Sequence, residues 1–115
     1  MKYTGGCHCH AVRFEADVSL ENVISCNCSI CSKKGHWLAF TPESNFRMIC
    51  GEEFLGDYQF GKKTIHHMFC KVCGIGPFGK GAMPDGTKMR AINVRCLDGI
   101  DLESIKVTPV DGKSF

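Results

Sequence analysis

The chain has 115 residues, of which 43% are hydrophobic, with 14 basic and 12 acidic side chains. This length is enough for one hydrophobic core and too short for two independent ones, so we predict a single domain over residues 1–115. The near balance of charge argues against a nucleic-acid partner, because such proteins usually carry a strongly basic surface.

The first half of the chain is predicted to form short β-strands. Val12, Phe14, Ala16 and Val18 alternate with polar residues, which is typical of a half-buried strand over residues 10–18. Residues 37–40 and 46–49 are also rich in strand-forming side chains, and the turn-like sequence PESN separates them. We therefore predict that these two segments pair as a hairpin.

The second half continues the same pattern. Residues 55–60 and 64–69 are predicted to pair around the turn GKK, residues 89–96 and 106–110 to form two further strands, and residues 102–105 to form one turn of helix. Apolar residues nowhere keep a helical period over three turns. We predict a mostly β fold of small, twisted, antiparallel sheets organised around zinc, with zinc-ribbon-like knuckles.

Nine cysteines in so short a chain would suggest disulfides in a secreted protein. The opening sequence MKYTGGCHCH leaves no room for an apolar signal core, and no later run is long enough to span a bilayer. The number of cysteines is odd, and their spacing is that of metal ligands. We predict a cytoplasmic protein with reduced, zinc-bound thiolates and no membrane partner.

Four of these cysteines form two close pairs that predict a structural zinc site. Cys70 and Cys73 frame a Cys-x-x-Cys turn followed by glycine, in which both sulfurs can face one ion. Cys7 and Cys9 can do the same if their segment is extended, because residues two apart then face the same side. Together they supply the four thiolates of a closed tetrahedral site.

Cys26, Cys28 and Cys31 place three thiols within six residues, which is one ligand short of a tetrahedron. Catalytic zinc sites commonly keep three protein ligands and leave the fourth position for water or substrate. This count predicts a second zinc with a catalytic role. The alternative is that Cys96 supplies a fourth sulfur and makes the second site structural as well. Cys50 has no clustered partner and is expected to be a core thiol.

The cysteine motifs together resemble one known family. They are GCHCHAVRF at residues 6–14, CNCSIC at 26–31, FCKVCG at 69–74 and NVRCLD at 93–98. In this order they are similar to the glutathione-dependent formaldehyde-activating enzyme family, which also contains centromere protein V. The resemblance spans nearly the whole chain and implies a mostly β fold of twisted sheets around zinc.

The resemblance also implies roles for the cysteines and a reaction. Cys7, Cys9, Cys70 and Cys73 would bind the structural zinc, whereas Cys26, Cys28 and Cys31 would bind the labile or catalytic one. The implied activity is that of a carbon–sulfur lyase of the S-(hydroxymethyl)glutathione synthase type, with glutathione or a related thiol and an aldehyde as substrates. Lys33, Lys34, Arg90 and Arg95 are candidates to meet the carboxylates of such a thiol, although surface charge is the simpler role for each.

Three other functions remain open at this point. A non-catalytic zinc module that binds a protein partner would follow if both sites were closed. A nucleic-acid-binding zinc ribbon is suggested by the knuckle alone. Redox storage is possible because Cys26, Cys28 and Cys31 without metal could form a disulfide.

Overall fold

A computed structural model describes residues 1–112 and shows a chain built mainly of short strands. The strands are β1 Lys2–Gly6, β2 Arg13–Asp17, β3 Val23–Cys26, β4 Leu38–Pro42, β5 Phe46–Cys50, β6 Leu55–Tyr58, β7 His66–Cys70, β8 Phe78–Ala82, β9 Lys88–Asn93 and β10 Val107–Val110. One short α-helix, α1, spans Cys31–Lys34, and single 3-10 turns span Glu43–Asn45, Glu52–Phe54, Val94–Cys96 and Leu102–Ser104. No helix among residues 1–112 is long and apolar enough to cross a membrane.

The strands form two sheets, which confirms the mostly β prediction. One sheet has three strands in the order β1-β2-β5, and the other has seven in the order β10-β3-β4-β9-β8-β7-β6. Most neighbouring strands are antiparallel, as predicted, but β10 pairs with β3 in parallel. The larger sheet is therefore mixed.

The predicted alternation in β2 is confirmed by burial. Val12, Phe14, Ala16 and Val18 are all at most 3% exposed. The strand itself begins only at Arg13, because residues 7–12 form a turn in which the backbone N–H of residue 7 donates to the carbonyl oxygen of residue 12 at 3.1 Å.

The predicted hairpin between the two segments around residues 42–45 is wrong. Leu38–Pro42 pairs with β3 and β9 in the larger sheet, whereas Phe46–Cys50 pairs with β2 in the smaller one. The 3-10 turn Glu43–Asn45 carries the chain from one sheet to the other. The ring of Phe46 then stacks on Phe14 across the smaller sheet, with centroids 5.3 Å apart. Long-range packing, and not the local turn sequence, decides the partner of this strand.

The later elements agree more closely with the sequence prediction. Strands β6 and β7 pair antiparallel, β10 forms where expected, and residues 102–104 form a helical turn. The strand predicted over residues 89–96 stops at Asn93, where the 3-10 turn Val94–Cys96 begins. Strands β1, β3 and β8 and helix α1 were not predicted. In β1 and β8, two glycines in each strand weaken the strand signal.

One hydrophobic cluster joins the two sheets. Phe14 from the smaller sheet meets Phe78 and Ile92 from the larger one, and all three are at most 4% exposed. Full burial of a side chain of this size contributes about 1.5–3 kcal/mol. This packing fixes the position of one sheet against the other and brings cysteines that are distant in sequence together.

Candidate metal centres

The first cysteine cluster contains the four thiols paired from the sequence. The sulfur atoms of Cys7, Cys9, Cys70 and Cys73 all lie within 4.8 Å of one another. The Sγ atoms of Cys7 and Cys9 are 3.6 Å apart, and those of Cys9 and Cys70 are 3.7 Å apart. A zinc tetrahedron with bonds of about 2.3 Å requires sulfurs about 3.8 Å apart. The donor set and its spacing are therefore compatible with zinc.

Two turns hold these thiols in place. The backbone N–H of Val12 donates to Sγ of Cys7 at 3.3 Å, and that of Val72 donates to Sγ of Cys70 at 3.4 Å. Gly74, at a φ of 83°, closes the second turn and donates to the carbonyl oxygen of residue 70 at 2.8 Å. The first turn corrects the sequence argument, because residues 7–9 reach one ion from a turn and not from an extended segment.

The thiols of this cluster differ in pKa, because backbone hydrogen bonds lower the pKa of one and desolvation and neighbouring thiols raise that of another. The backbone N–H of Ile75 lowers the pKa of Cys73 to about 6. At Cys9 the backbone N–H of Ala11 has the opposite effect to desolvation and the neighbouring thiols, which together raise the pKa to about 11. Such a set of thiols holds protons that a bound cation would displace.

The second cluster contains the predicted three thiols. The sulfurs of Cys26, Cys28 and Cys31 lie within 4.8 Å of one another, and all three residues are half-buried. Cys26 ends β3, and Cys31 begins α1, so one tight loop supplies the whole set. The backbone N–H of Cys28 also donates to Sγ of Cys26 at 3.5 Å.

The three thiols differ in acidity. Burial, with hydrogen bonding to Cys28, raises the pKa of Cys31 to about 12. Burial also acts to raise the pKa of Cys28, but hydrogen bonds that include the backbone N–H groups of Cys31 and Ile30 outweigh it and lower the pKa. This loop is thus built to favour a thiolate at residue 28.

Cys96 does not join the second cluster. It belongs to neither group of thiols that lie close enough to share an ion. Burial and the nearby thiols of Cys7 and Cys73 raise its pKa to about 11, which places it on the side of the first cluster. The 3-10 turn that follows β9 carries it there, and the backbone approaches so closely that a Cβ at Gly5 would lie 2.6 Å from the carbonyl oxygen of Cys96.

Cys50 also differs from expectation. It was expected in the core, but it is exposed at the end of β5 and lies in neither cluster.

Gly112 packs directly against the second cluster. A Cβ built on this residue would lie 2.3 Å from Sγ of Cys26 and 3.4 Å from Cβ of Cys28. No ordinary contact is that short, so only glycine fits without displacing a sulfur. The sequence offered no signal for this role, because the segment after β10 lies far from the cysteines along the chain.

The second cluster opens into a cleft of about 560 Å³. Its wall is mostly apolar, with Ile24, Ile30, Leu38, Phe40, Phe60, Ile65 and Phe78 contributing side chains. The polar side chains among its described lining residues, apart from the cysteines, are Ser29, Lys34, His36, His67 and Asn93. A mostly apolar cleft with a few polar groups beside a thiol cluster is the usual form of a small-molecule site.

His36 and His67 were not identified from the sequence as cleft residues. Burial, followed by the charge of Lys34, lowers the pKa of His36 to about 4. Burial and Lys34 also lower the pKa of His67. Both rings are therefore neutral at pH 7. Neither histidine has a spacing from the cysteines that could have revealed it.

Asn93 connects the cleft of the second cluster with the segment that follows the Cys70–Cys73 knuckle. Its side chain is 4% exposed, donates from Nδ2 to the carbonyl oxygen of Gly76 at 3.0 Å and accepts at Oδ1 from the backbone N–H of Arg95 at 3.2 Å. It lines the cleft of the second cluster while holding the segment that follows the Cys70–Cys73 knuckle. The motif NVRCLD thus contains a buried structural link.

Of the four basic residues proposed from the sequence as substrate contacts, one lines the cleft and three do not. Lys34 lines the cleft, but Arg90 pairs with Glu43 at 3.4 Å, and Arg95 lies over the ring of Trp37 at 4.2 Å. Lys33 is exposed and does not line the cleft.

Comparisons with known proteins agree with this architecture. Residues 2–110 match the family model described as glutathione-dependent formaldehyde-activating enzyme. A crystal structure of a Rhodobacter sphaeroides protein, a structural genomics target, is 31% identical in sequence and superposes with a TM-score of 0.83. The match covers 92% of this chain and 97% of that one.

Proposed function

Since the chain belongs to the glutathione-dependent formaldehyde-activating enzyme family, we propose that it is a zinc-dependent carbon–sulfur lyase of the S-(hydroxymethyl)glutathione synthase type. The resemblance found in the sequence is confirmed at the level of the family. The observation that carries the activity is the unequal number of thiols in the two clusters, four in one and three in the other.

The four-thiol cluster is the structural site in this proposal. Cys7, Cys9, Cys70 and Cys73 would supply all four ligands of a tetrahedral zinc ion and would leave no position for a substrate. Cys7 and Cys70 are at most 4% exposed, which suits a site that holds two sheets together and takes no part in turnover.

The three-thiol cluster is the catalytic site. Cys26, Cys28 and Cys31 would hold a zinc ion that lowers the pKa of a substrate thiol. Against the effect of burial, hydrogen bonds that include those from the backbone N–H groups of Cys31 and Ile30 lower the pKa of Cys28, which favours the thiolate form that a metal ligand needs. The cleft beside the cluster provides a place for the rest of the substrate and excludes part of the surrounding water.

The reaction joins a thiol and an aldehyde without any other reactant. The substrate sulfur attacks the carbonyl carbon, a carbon–sulfur bond forms, and the π electron pair moves to oxygen, which takes up the proton that the thiol lost. The reverse sequence breaks the same bond. The neutral ring of His36 offers a hydrogen-bond donor for the aldehyde oxygen without adding a charge to the apolar cleft.

The test is exchange of ¹³C-labelled formaldehyde between its hydrate and its glutathione adduct, measured by NMR on zinc-loaded protein. We expect the chain to accelerate exchange at least about a hundredfold over buffer, at the lower end of the range for positioned catalytic groups. Cys28→Ser is expected to abolish the acceleration and to leave one zinc per chain. Cys50→Ser is the matched control, because this exposed cysteine lies outside both clusters.

Exchange at the buffer rate with glutathione and with every other thiol tested, while two zinc ions are bound per chain, would contradict the proposal. It would favour the non-catalytic zinc module in its place. Equal loss of activity in Cys28→Ser and Cys50→Ser would show that the three-thiol cluster is not the site.

A further inference from the structure

The cleft beside the three-thiol cluster has an uneven distribution of charge. Apart from the cysteines of the cluster, Lys34 is the one charged side chain among the described residues that line it, and no carboxylate lines it. Its Nζ lies 3.4 Å from the position that a Cβ would take at Gly76, in the segment that follows the knuckle. The site can therefore neutralise one negative charge, and it has no described partner for an ammonium group.

This distribution suits glutathione poorly. At neutral pH glutathione carries two carboxylates, one ammonium and two peptide groups. One carboxylate could meet Lys34, but the described lining residues offer no second cation for the other carboxylate and no carboxylate for the ammonium. Polar groups that lose water without gaining a partner weaken binding.

The position of Lys34 relative to the cysteines indicates where a bound substrate should carry its negative charge. Cys31 and Lys34 are the first and last residues of α1, three residues apart. Residues at this spacing lie on the same face of a helix, one turn from each other. A carboxylate that meets Lys34 should thus be close to the substrate sulfur.

The apolar part of the cleft leads away from the cysteines. Phe40, Phe60 and Ile65 line its outer part and are 49%, 41% and 53% exposed. The ring of Phe60 stacks on His67 with centroids 5.4 Å apart, which keeps it in place. A second cavity of about 470 Å³ shares Phe40 and Ile65 with the first and extends the apolar surface to Met83 and Met89. The two cavities, of about 560 and 470 Å³, have room for a chain of several carbon atoms.

We propose that the thiol substrate is a mercapto acid with its carboxylate next to the thiol and an apolar chain or ring beyond, and that such a thiol is preferred to glutathione. This inference rests on the proposed function and narrows its substrate class. Lys34 binds the carboxylate, and Phe40, Phe60 and Ile65 contact the apolar chain. The sulfur occupies the remaining position at the three-thiol cluster.

The first experiment compares thiols on zinc-loaded, full-length protein by calorimetry, with formaldehyde exchange as a second readout. The probes are 2-mercaptooctanoate, its short analogue 2-mercaptopropanoate, its uncharged analogue 2-mercaptooctan-1-ol and glutathione. We expect 2-mercaptooctanoate to bind at least about tenfold more tightly than each of the others, since buried methylene groups and one neutralised charge both contribute.

Two variants with matched controls assign the contacts. Lys34→Gln is expected to weaken binding of 2-mercaptooctanoate about tenfold and to leave 2-mercaptooctan-1-ol unchanged, whereas Lys33→Gln changes neither. Phe60→Ala is expected to weaken the long thiols several-fold and to leave 2-mercaptopropanoate unchanged. Phe54→Ala is its control, because Phe54 is 40% exposed but does not line the cleft. Unchanged binding of 2-mercaptopropanoate also shows that the Phe60 variant is folded.

The outcomes separate this proposal from the function on which it rests. If glutathione binds as tightly as 2-mercaptooctanoate and is turned over, the substrate class is wrong and the lyase function stands. If no thiol binds and none supports exchange, both are wrong. Equal effects of Lys34→Gln and Lys33→Gln on 2-mercaptooctanoate would also overturn the role of Lys34.

Discussion

At the scale of single residues, the second cluster depends on a glycine that belongs to no cysteine motif. Gly112 approaches Cys26 so closely that one added methyl group would collide with its sulfur. A metal site tolerates little movement of its ligands, because the bond lengths and angles around zinc are narrow. The residue therefore restricts the three-thiol loop from outside it.

We expect Gly112→Ala to lower the metal content of the second cluster and to leave the first one occupied. The added Cβ must displace Sγ of Cys26 from a distance of 2.3 Å or push the segment after β10 away. Metal content per chain by mass spectrometry should fall from two toward one. Gly81→Ala is the control, because its Cβ would make only an ordinary contact of 4.0 Å with Ile65. Full occupancy in both variants would contradict the prediction.

His36 provides a prediction about pH. Burial lowers its pKa from 6.5 to about 4, so the folded ring takes no proton in this interval whereas the unfolded chain does. The contribution of this group to stability is therefore complete above pH 6.5 and declines as the pH falls toward 4. We expect the ring nitrogens of His36 to keep neutral chemical shifts down to pH 5 in NMR spectra, with His36→Gln used for assignment. A titration midpoint near 6.5 would show that the ring is open to water.

At the scale of elements, strand β9 and the knuckle depend on each other. Asn93 ends the strand and satisfies backbone groups of the segment after the knuckle and of the following 3-10 turn. A buried polar group left without its partner costs about 1–3 kcal/mol. The motif NVRCLD supplies no ligand to the second cluster, but through Asn93 it lines the cleft beside that cluster and holds the segment after the knuckle.

We expect Asn93→Ala to lower the free energy of unfolding by about 1–3 kcal/mol, because the carbonyl oxygen of Gly76 loses its donor. The measurement is chemical unfolding of the zinc-loaded protein, followed by circular dichroism. Asn45→Ala is a suitable comparison, since Asn45 is exposed and its Nδ2 donates to Thr41 at 3.2 Å. We expect this substitution to lower the free energy of unfolding by about 0.5 kcal/mol or less. Equal costs for the two variants would argue against the link.

At the scale of the whole molecule, the four-thiol cluster connects the two sheets. Cys7 and Cys9 lie in the turn between β1 and β2 of the smaller sheet, and Cys70 ends β7 of the larger one. An ion bound there would join segments that lie more than 60 residues apart, and binding energy at such a site contributes to folding. The three-thiol cluster sits within one loop and joins nothing distant.

The two clusters should therefore differ in their effect on stability. We expect Cys9→Ser to lower the melting temperature by about 10 °C or more and Cys28→Ser by only a few degrees. Both are single thiol-to-hydroxyl changes at residues that are not fully buried, so each serves as the control for the other. Scanning calorimetry of the zinc-loaded variants measures the difference. A larger loss of melting temperature in Cys28→Ser than in Cys9→Ser would show that the structural role belongs to the three-thiol cluster.

The sequence by itself determined the features that depend on neighbouring residues. Cys-x-x-Cys followed by glycine predicts a knuckle, the alternation in β2 predicts a buried face, and three thiols in six residues predict a cluster, because each pattern limits the geometry of a few adjacent residues. The order of these motifs along the chain was also enough to indicate the family. All of these expectations agree with the structure.

Only the tertiary structure decided which distant groups meet. It separated the two strands expected as a hairpin, placed Cys96 beside the first cluster, and brought Gly112 and His67 to the second. These contacts result from the packing of two sheets around Phe14, Phe78 and Ile92. That packing is a sum of many weak apolar contacts over the whole chain, and no short pattern records which distant residues it brings together.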